Sequence, residues 1–372
     1  MQKEIGLIVN PIAGMGGKVG LKGTDGPEIL KKAIELGATP EAPGRAALAL
    51  KSLAGLGKEL HVFTCPGEMG EIEVRAAGLD HTVLDCLRRN GTTAEDTERA
   101  ARALEERGVE LLLFVGGDGT ARNICNAVGD RLPVIGIPAG VKMHSAVFGT
   151  TPRNAGELAV LFLRGRTSGT REAEVMDIDE EAFREQRVIA KLYGYLRVPL
   201  ESRLVQGVKG GGAGQEDSAV RGIALDVIRA MESGCYYIIG PGTTTREIMT
   251  LLNLPNTLLG VDVILNRSIV AGDVREGQLL EIIEGKPARI VVAVIGGQGY
   301  LFGRGNQQIS DKVIAKVGRA NIIVIAAKSK MYGLNGRPLL VDTGNEVVDR
   351  MLSGYVQVTT GLKEKLVVPV SC

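Results

Sequence analysis

The chain has 372 residues, which exceeds what one hydrophobic core usually serves, so two domains are expected. Its 44 basic and 43 acidic residues nearly cancel, which argues against the basic surface that non-specific nucleic-acid binding needs. An aromatic content of 3% with no Trp also argues against sites that stack bases on aromatic rings.

The cysteines and the apolar runs indicate the cellular compartment in which the protein is found. The five cysteines are odd in number and contain no C-x-x-C pair, so the sequence predicts reduced thiols rather than a disulfide framework or a zinc site. The first apolar run, residues 5–9, is too short for a signal-peptide core, and no run approaches the ~20 apolar residues of a membrane helix. We therefore expect a soluble cytoplasmic protein without nucleic-acid or membrane partners.

Short apolar runs alternate with helical patterns through the first half of the chain. The first run, residues 5–9, is predicted as a buried strand that enters a glycine-rich loop. Further strands are predicted over residues 60–64, 81–85, 111–115 and 133–137, and helices over 41–56, 67–77, 92–106 and 153–163. Because parallel strands need crossover connections, this alternation predicts a doubly wound α/β domain over residues 1–165.

The second half, residues 166–372, is predicted as a separate mixed α/β domain with a β-rich start. Strands over 175–179 and 188–192 lack clear crossovers. Helices are then predicted over 219–231, 245–252 and 310–317, and strands over 236–239, 258–265, 289–295 and 321–326. The tail from 338 to 370 reads as strand, helix and final strands that could pack on either domain.

The clearest candidate for chemistry is the loop after the strand at 111–115. It consists of Gly116, Gly117, Asp118, Gly119 and Thr120. Ligands of open α/β sheets bind at the carboxyl ends of strands, where helix N-termini direct backbone amides at anions, and the glycines let a phosphate approach the backbone. Asp118 fits a catalytic carboxylate that accepts or orients a hydroxyl proton and helps hold Mg²⁺ near phosphates. The alternative for Asp118 is a helix N-cap in a tight turn.

Two other loops are candidates for binding a phosphate or its acceptor. The first contains Gly240, Gly242, Thr243 and Thr244, whose amides and hydroxyls could bind phosphate or could form an ordinary N-cap turn. The second follows the strand at 133–137 and contains Lys142, His144 and Ser145. Lys142 could neutralise phosphate and His144 could contact the acceptor, although a lone His is more often structural.

Three further groups of residues are candidates for substrate binding. Arg304, Asn306 and Gln307 lie among flexible glycines, where a guanidinium can bind phosphate and amides can recognise hydroxyls. Asp25 could bind a metal or a ribose, or could simply occupy a turn. Asp262 is either a site residue or a hydrogen-bonded residue at a strand end, because an unpaired buried carboxylate is costly.

Three motifs together resemble the ATP-NAD kinase superfamily, which includes diacylglycerol kinases and is related to 6-phosphofructokinases. They are residues 116–120, Gly-Gly-Asp-Gly-Thr; residues 10–14, Asn-Pro-Ile-Ala-Gly; and residues 136–140, Gly-Ile-Pro-Ala-Gly. The chain is most similar to a branch predicted to use ATP or polyphosphate, which shares residues 20–26, 140–145 and 296–307. The resemblance covers most of the chain.

The resemblance implies a kinase that transfers the γ-phosphoryl group of ATP or polyphosphate to the 2′-hydroxyl of NAD, giving NADP. It implies that Asp118 lies near that hydroxyl. It also implies that the nucleotide-binding site is lined by Asn10, Gly14 and Gly140. Familiar NAD kinases carry an Asn-Glu pair downstream that has no counterpart in this chain. A kinase for another hydroxylated metabolite or a lipid, and a non-catalytic nucleotide-binding regulator, remain alternatives. A homo-oligomer is expected by analogy with related kinases.

Overall fold

The computed structural model describes residues 2–21, 26–86, 92–141, 143–178, 190–201, 204–205, 217–257, 259–295 and 298–372. The chain divides into two compact units. The first comprises Met1–Met15, Gly23–Ile34 and Thr39–Val208, and the second Gly16–Lys22, Glu35–Ala38 and Lys209–Cys372. The fold is α/β, as predicted. No helix within the described ranges is both long and apolar enough to cross a membrane.

The first unit is built on a five-stranded sheet in which all neighbouring strands are parallel, in the order β3-β2-β1-β4-β5. The strands are β1 (Lys3–Val9), β2 (Leu60–Thr64), β3 (His81–Val83), β4 (Leu111–Gly116) and β5 (Val134–Pro138). The helices are α1 (Pro27–Glu35), α2 (Ala42–Leu53), α3 (Glu71–Ala76), α4 (Ala94–Arg107), α5 (Asp118–Val128) and α6 (Pro152–Leu163), with 3₁₀ turns at Ala54–Glu59 and Gly67–Met69. The predicted doubly wound architecture is confirmed.

Helices cover both faces of this sheet, and the central strand β4 is accordingly buried at every position. Alternate side chains of β4 point to opposite faces. Leu113 packs in a cluster with residues of α2 and α6, whereas Leu112 packs in a cluster with residues of α4 and α5. The helix α4 begins with a capping box in which Thr93 and Asp96 each accept from the other's backbone amide. Burial on both faces holds the carboxyl ends of these strands in a fixed frame.

The first unit also contains a hairpin of β6 (Thr170–Ile178) and β7 (Ala190–Pro199). Sequence reasoning predicted two short strands in this region without identifying their antiparallel pairing. The hairpin packs against α5 and β5, which explains why it belongs to the first unit. The predicted domain boundary at residue 165 stays a prediction, although the division between the compact units follows Val208.

The second unit is built on a mixed nine-stranded sheet in the order β10-β9-β8-β11-β13-β15-β16-β14-β12. Its strands are β8 (Tyr236–Ile239), β9 (Asp262–Leu265), β10 (Ser268–Ala271), β11 (Ala288–Ala293), β12 (Tyr300–Phe302), β13 (Ile322–Ile325), β14 (Leu339–Val341), β15 (Gly354–Gly361) and β16 (Glu364–Ser371). Its helices are α7 (Asp217–Arg229), α8 (Thr243–Leu251), α9 (Glu276–Ile282), α10 (Asp311–Val317), α11 (Lys328–Tyr332) and α12 (Glu346–Leu352), with a 3₁₀ turn at Arg319–Asn321.

The centre of this second sheet is parallel and buried. The strands β8, β11, β13 and β15 run parallel, whereas β9 and β16 pair antiparallel with their neighbours β8 and β15. The C-terminal strands β14, β15 and β16 therefore complete the second unit's own sheet. The loops after β8, β11 and β13 open at one edge, since their strands share a direction.

Candidate functional site

The loops that follow β1, β4 and β5 lie side by side at the carboxyl edge of the first sheet. The backbone amides of Ala139 and Gly140 donate to the carbonyl oxygen of Gly116 at 2.9 and 3.1 Å. The side-chain amide of Asn10 donates to the hydroxyl of Thr120 at 3.0 Å. The three motifs that the sequence separates thus form one connected site.

Two close backbone approaches in this site require glycine. A Cβ atom on Gly140 would lie 2.7 Å from the Cα atom of Gly117, a distance that real Cβ atoms do not tolerate. Gly14 has φ of +82°, and a Cβ atom there would lie 2.1 Å from the carbonyl oxygen of Ala139. The absence of side chains at these positions lets the loops after β1, β4 and β5 pack directly against one another.

Asp118 is the first residue of α5 and is buried, with 9% of its surface exposed. Its Oδ2 atom accepts from the backbone amide of His144 at 2.7 Å, and its Oδ1 atom accepts from that of Ser145 at 3.0 Å. A carboxylate offers about four acceptor positions, so these bonds fix its orientation and leave capacity for a ligand. Gly119 and Thr120 continue the first turn of α5, where backbone amides lack helical partners.

The imidazole of His144 faces the carboxylate of Asp118. Its Nδ1 atom lies 3.4 Å from Oδ2 of Asp118 and is buried without a hydrogen-bond partner among the described residues. Ser145 is fully buried, and its hydroxyl oxygen accepts from the backbone amide of Met176 in β6 at 2.9 Å. His144 therefore presents an unused polar atom beside Asp118, whereas Ser145 ties its loop to the hairpin.

The loop after β8 in the second unit contains Gly240, Gly242, Thr243 and Thr244. The amide of Gly240 donates to the carbonyl oxygen of Val291 at 2.9 Å, so that amide is committed to the sheet. Thr243 is exposed at the start of α8, and the buried hydroxyl of Thr244 accepts from Lys330 Nζ at 3.0 Å. The exposed start of α8 stays a candidate phosphate-binding point.

The loop after β12 has a different arrangement from the one that its sequence suggested. Arg304 is 3% exposed, forms an ion pair with Asp342 at 2.8 Å, and lies over the ring of Tyr300 at 4.7 Å. Asn306 accepts from the amide of Gly303 and donates to the carbonyl oxygen of Leu301, so its side chain fixes its own loop.

Gln307 donates to the carbonyl oxygen of Gly303 at 3.3 Å. In this structure all three side chains of the predicted recognition set, Arg304, Asn306 and Gln307, thus make contacts inside the protein. Their role at a substrate stays a prediction.

Asp262 is hydrogen-bonded at the start of β9, and its role at a substrate stays a prediction. Its carboxylate accepts from the amide and the hydroxyl of Thr257 at 2.9 and 2.8 Å, and from the amide of Asp273 at 3.0 Å. These bonds join the loops on either side of the β9–β10 hairpin. Two other predicted binding residues, Asp25 and Lys142, lie outside the described residues.

Sequence reasoning missed two charged residues that the structure brings to the predicted loops. Lys330 lies in α11, after β13, and contacts Thr244. Its signal was available, because a lysine that follows a buried parallel strand lies at the edge where ligands bind. Asp342 follows β14 and pairs with Arg304. No local pattern could identify that pair, because its partners come together only through the sheet.

Two family comparisons cover most of the chain. The ATP-NAD kinase N-terminal domain matches residues 5–167, and the ATP-NAD kinase C-terminal domain matches residues 233–370. The chain belongs to the NAD kinase family. The site around Asp118 lies in the N-terminal domain of this NAD kinase family member, and the loop after β8 lies in its C-terminal domain.

The structural comparisons are distant. A protein from Bacillus anthracis strain Sterne that is classed as a diacylglycerol kinase shares 19% identity at a TM-score of 0.24. This match covers 46% of the NAD kinase family member and only 45% of the Bacillus protein. A conserved domain protein from Vibrio cholerae O1 biovar El Tor strain N16961 shares 11% identity at a TM-score of 0.26, over 99% of this chain and 92% of that one. The chain matches none of the curated proteins with which it was compared.

Proposed function

We propose that this protein is a kinase that transfers the γ-phosphoryl group of ATP, or the terminal phosphoryl group of polyphosphate, to the 2′-hydroxyl of NAD, giving NADP. Membership of the NAD kinase family supports the phosphotransfer chemistry. The single observation that carries the proposal is the buried carboxylate of Asp118, fixed by two backbone amides at the glycine-lined start of α5.

Asp118 has the position and the chemistry of the group that handles the acceptor hydroxyl. The backbone amides of His144 and Ser145 donate to its carboxylate, so its orientation is fixed by main-chain groups. A carboxylate held in this way can accept the proton of an attacking hydroxyl or orient that hydroxyl for transfer. Positioning and electrostatic stabilisation supply most of the catalysis in phosphoryl transfer, which suits a preorganised site.

The phosphate groups are proposed to lie against the backbone of the loops that begin at Gly116 and Gly140. The amides in the first turn of α5, which have no acceptor within the helix itself, and the partial positive charge of that helix end favour an anion. Asn10 hydrogen bonds to Thr120, which holds the loop after β1 against the first turn of α5. We propose Thr243 and Thr244 as a further phosphate-binding point within the second unit.

Magnesium fits this site as part of a metal–nucleotide complex. Within the described ranges, no group of three or more His, Cys, Asp or Glu side chains is arranged to hold a metal ion. Mg²⁺ is commonly held by one or two carboxylates together with substrate phosphates, and Asp118 has acceptor positions for this. When bound, Mg²⁺ would neutralise charge on the phosphates.

Product identification tests the acceptor. Purified protein would be incubated with Mg²⁺ and either ATP or polyphosphate, and with NAD, NADH, diacylglycerol and a set of sugars in separate reactions. We expect a product with the mass and chromatographic behaviour of NADP. Phosphorylation of another acceptor while NAD stays unchanged would contradict NAD as the substrate, and nucleotide binding with no product in any reaction would favour a regulator.

We further propose a cytoplasmic homo-oligomer that acts on small-molecule nucleotides and has neither nucleic acid nor a membrane as a partner. The near balance of 44 basic and 43 acidic residues supports the absence of a nucleic-acid partner. Light scattering coupled to size-exclusion chromatography would measure the molar mass. A mass equal to that of one 39.3 kDa chain would contradict the homo-oligomer.

A further inference from the structure

Two cysteines lie at the carboxyl ends of neighbouring parallel strands in the first unit. Cys65 directly follows β2, and Cys86 follows β3 after two intervening residues. The parallel pairing of the two strands runs to Thr64 and Val83, and the amide of Leu84 donates to the carbonyl oxygen of Thr64 at 2.9 Å. Their sulfur atoms are 3.0 Å apart.

The two thiols differ in their surroundings. Cys65 is fully buried in an apolar cluster that includes Phe63 and Met69, whereas Cys86 is only half-buried. The hydrogen bond with Cys65 holds the pKa of the Cys86 thiol below its usual range, and the same contact, together with burial, raises the pKa of Cys65. Cys86 is therefore suited to react first and Cys65 to react second.

The remaining cysteines of the described residues have other environments. The thiol of Cys125 donates to the carbonyl oxygen of Tyr195 at 3.5 Å, and that of Cys235 to the carbonyl oxygen of Tyr236 at 3.7 Å. Cys372 is exposed at the end of the chain. Contact between two sulfur atoms thus singles out Cys65 and Cys86.

We propose that Cys65 and Cys86 are a modification site that forms a reversible disulfide by exchange with a small disulfide such as oxidised glutathione. In the first step the Cys86 thiolate, whose proton has passed to solvent, attacks one sulfur of that disulfide, so that a mixed disulfide forms and one glutathione thiolate leaves and takes up a proton from solvent. Cys65 then attacks the sulfur of Cys86 and expels the second glutathione, which takes up the Cys65 proton. The two protein thiols are oxidised, and one glutathione disulfide is reduced to two glutathione molecules.

The cross-link would join the ends of β2 and β3 within the first unit. Because the bond closes a loop of the unfolded chain, it should raise the thermal stability of the oxidised protein. Short-lived or regulatory disulfides are the usual kind in cytosolic proteins, so this site is compatible with reduced thiols at rest. The inference concerns the cysteines alone and does not rest on the proposed kinase activity.

Peptide mapping across a series of glutathione redox buffers tests the disulfide. Full-length protein would be equilibrated in each buffer, blocked with iodoacetamide and digested with trypsin without reduction. The sequence places Cys65 in the peptide 59–75 and Cys86 in the peptide 76–88. We expect these peptides to appear joined in oxidising buffer, with a mass two hydrogens below their sum, and to separate after reduction.

The controls distinguish this pair from general oxidation. Cys125→Ser should leave the joined peptides unchanged, whereas Cys86→Ser should abolish them. In oxidising buffer the Tm should rise for the wild type and for Cys125→Ser, and it should not rise for Cys86→Ser. The wild-type digest is decisive even if a variant folds poorly. Separate alkylated peptides at every redox ratio, or a persistent glutathione adduct on Cys86 without the cross-link, would overturn the proposal.

Discussion

The Nδ1 atom of His144 lies 3.4 Å from the Oδ2 atom of Asp118, and both side chains are buried. The backbone amide of the same histidine donates to that oxygen at 2.7 Å. One residue therefore fixes the carboxylate through its main chain, and its side chain places beside the carboxylate a ring nitrogen that has no hydrogen-bond partner among the described residues. The hydroxyl group of a bound acceptor could form a hydrogen bond with that nitrogen.

His144→Ala is expected to weaken binding of the phosphate acceptor, because the substitution removes the ring but keeps the backbone amide that fixes Asp118. Loss of one hydrogen bond of about 1.4 kcal/mol corresponds to a roughly tenfold higher KM for the acceptor. Steady-state kinetics with each substrate varied in turn would measure it. An unchanged KM for the acceptor would assign His144 to packing alone.

Gly140→Ala is expected to disrupt the site, because the new Cβ atom would lie 2.7 Å from the Cα atom of Gly117. We expect a loss of about 1–3 kcal/mol in the free energy of unfolding, together with a loss of activity. Urea denaturation and turnover would measure the two effects. The matched control is Gly44→Ala in α2, where a Cβ atom meets nothing within 4 Å. That variant should be neutral or slightly more stable.

Asp262→Asn is expected to lower stability by about 1–3 kcal/mol, because an amide cannot replace all the acceptor positions that Thr257 and Asp273 use. The folded variant should keep the kcat and KM values of the wild type. Denaturation and kinetics on the same preparation would check both statements. A normal stability with a raised KM would instead make Asp262 a substrate-binding residue.

Glu73 gives a prediction about pH. Burial raises the pKa of its carboxyl group in the folded protein, with a further contribution from the nearby Glu68. A raised pKa means that the carboxyl group ionises less readily in the folded than in the unfolded state. The ionised group therefore lowers the free energy of unfolding at pH 7. This cost disappears below the pKa of the unfolded state, where the group is protonated in both states. Glu73→Gln should therefore stabilise the protein at pH 7 more than at about pH 4. The exposed Glu157→Gln serves as the control, and an equal effect of Glu73→Gln at both pH values would contradict the assignment.

The first unit was predictable because its local signals agree with one another. The strand β4 is a continuous apolar run that ends in glycines, and Asp118 opens the following helix, so pattern and turn chemistry indicate the same structure. Parallel strands and their shared carboxyl edge then bring Asn10 and Gly140 to the same place. The sequence alone was sufficient to predict that these loops share one edge of the sheet; their roles at a substrate stay predictions.

The second unit's site residues were less predictable because their contacts are non-local. The glycines around Arg304 suggested a flexible recognition loop, whereas the ion pair with Asp342 buries the guanidinium. The contact between Cys65 and Cys86 likewise depends on the pairing of β2 with β3. Spacing along the chain carries no signal for such pairs, since their geometry is set by the register of the sheet.

Comparison of the wild type with Asp118→Asn, by single-turnover phosphoryl transfer and by calorimetric nucleotide binding, tests the central claim most directly. If Asp118 handles the acceptor hydroxyl, the transfer rate should fall by about 10²–10⁴-fold while the nucleotide Kd changes only a few-fold. The retained nucleotide affinity would show that the variant is folded. A variant that transfers phosphate at close to the wild-type rate would contradict the assignment of this carboxylate to the chemistry.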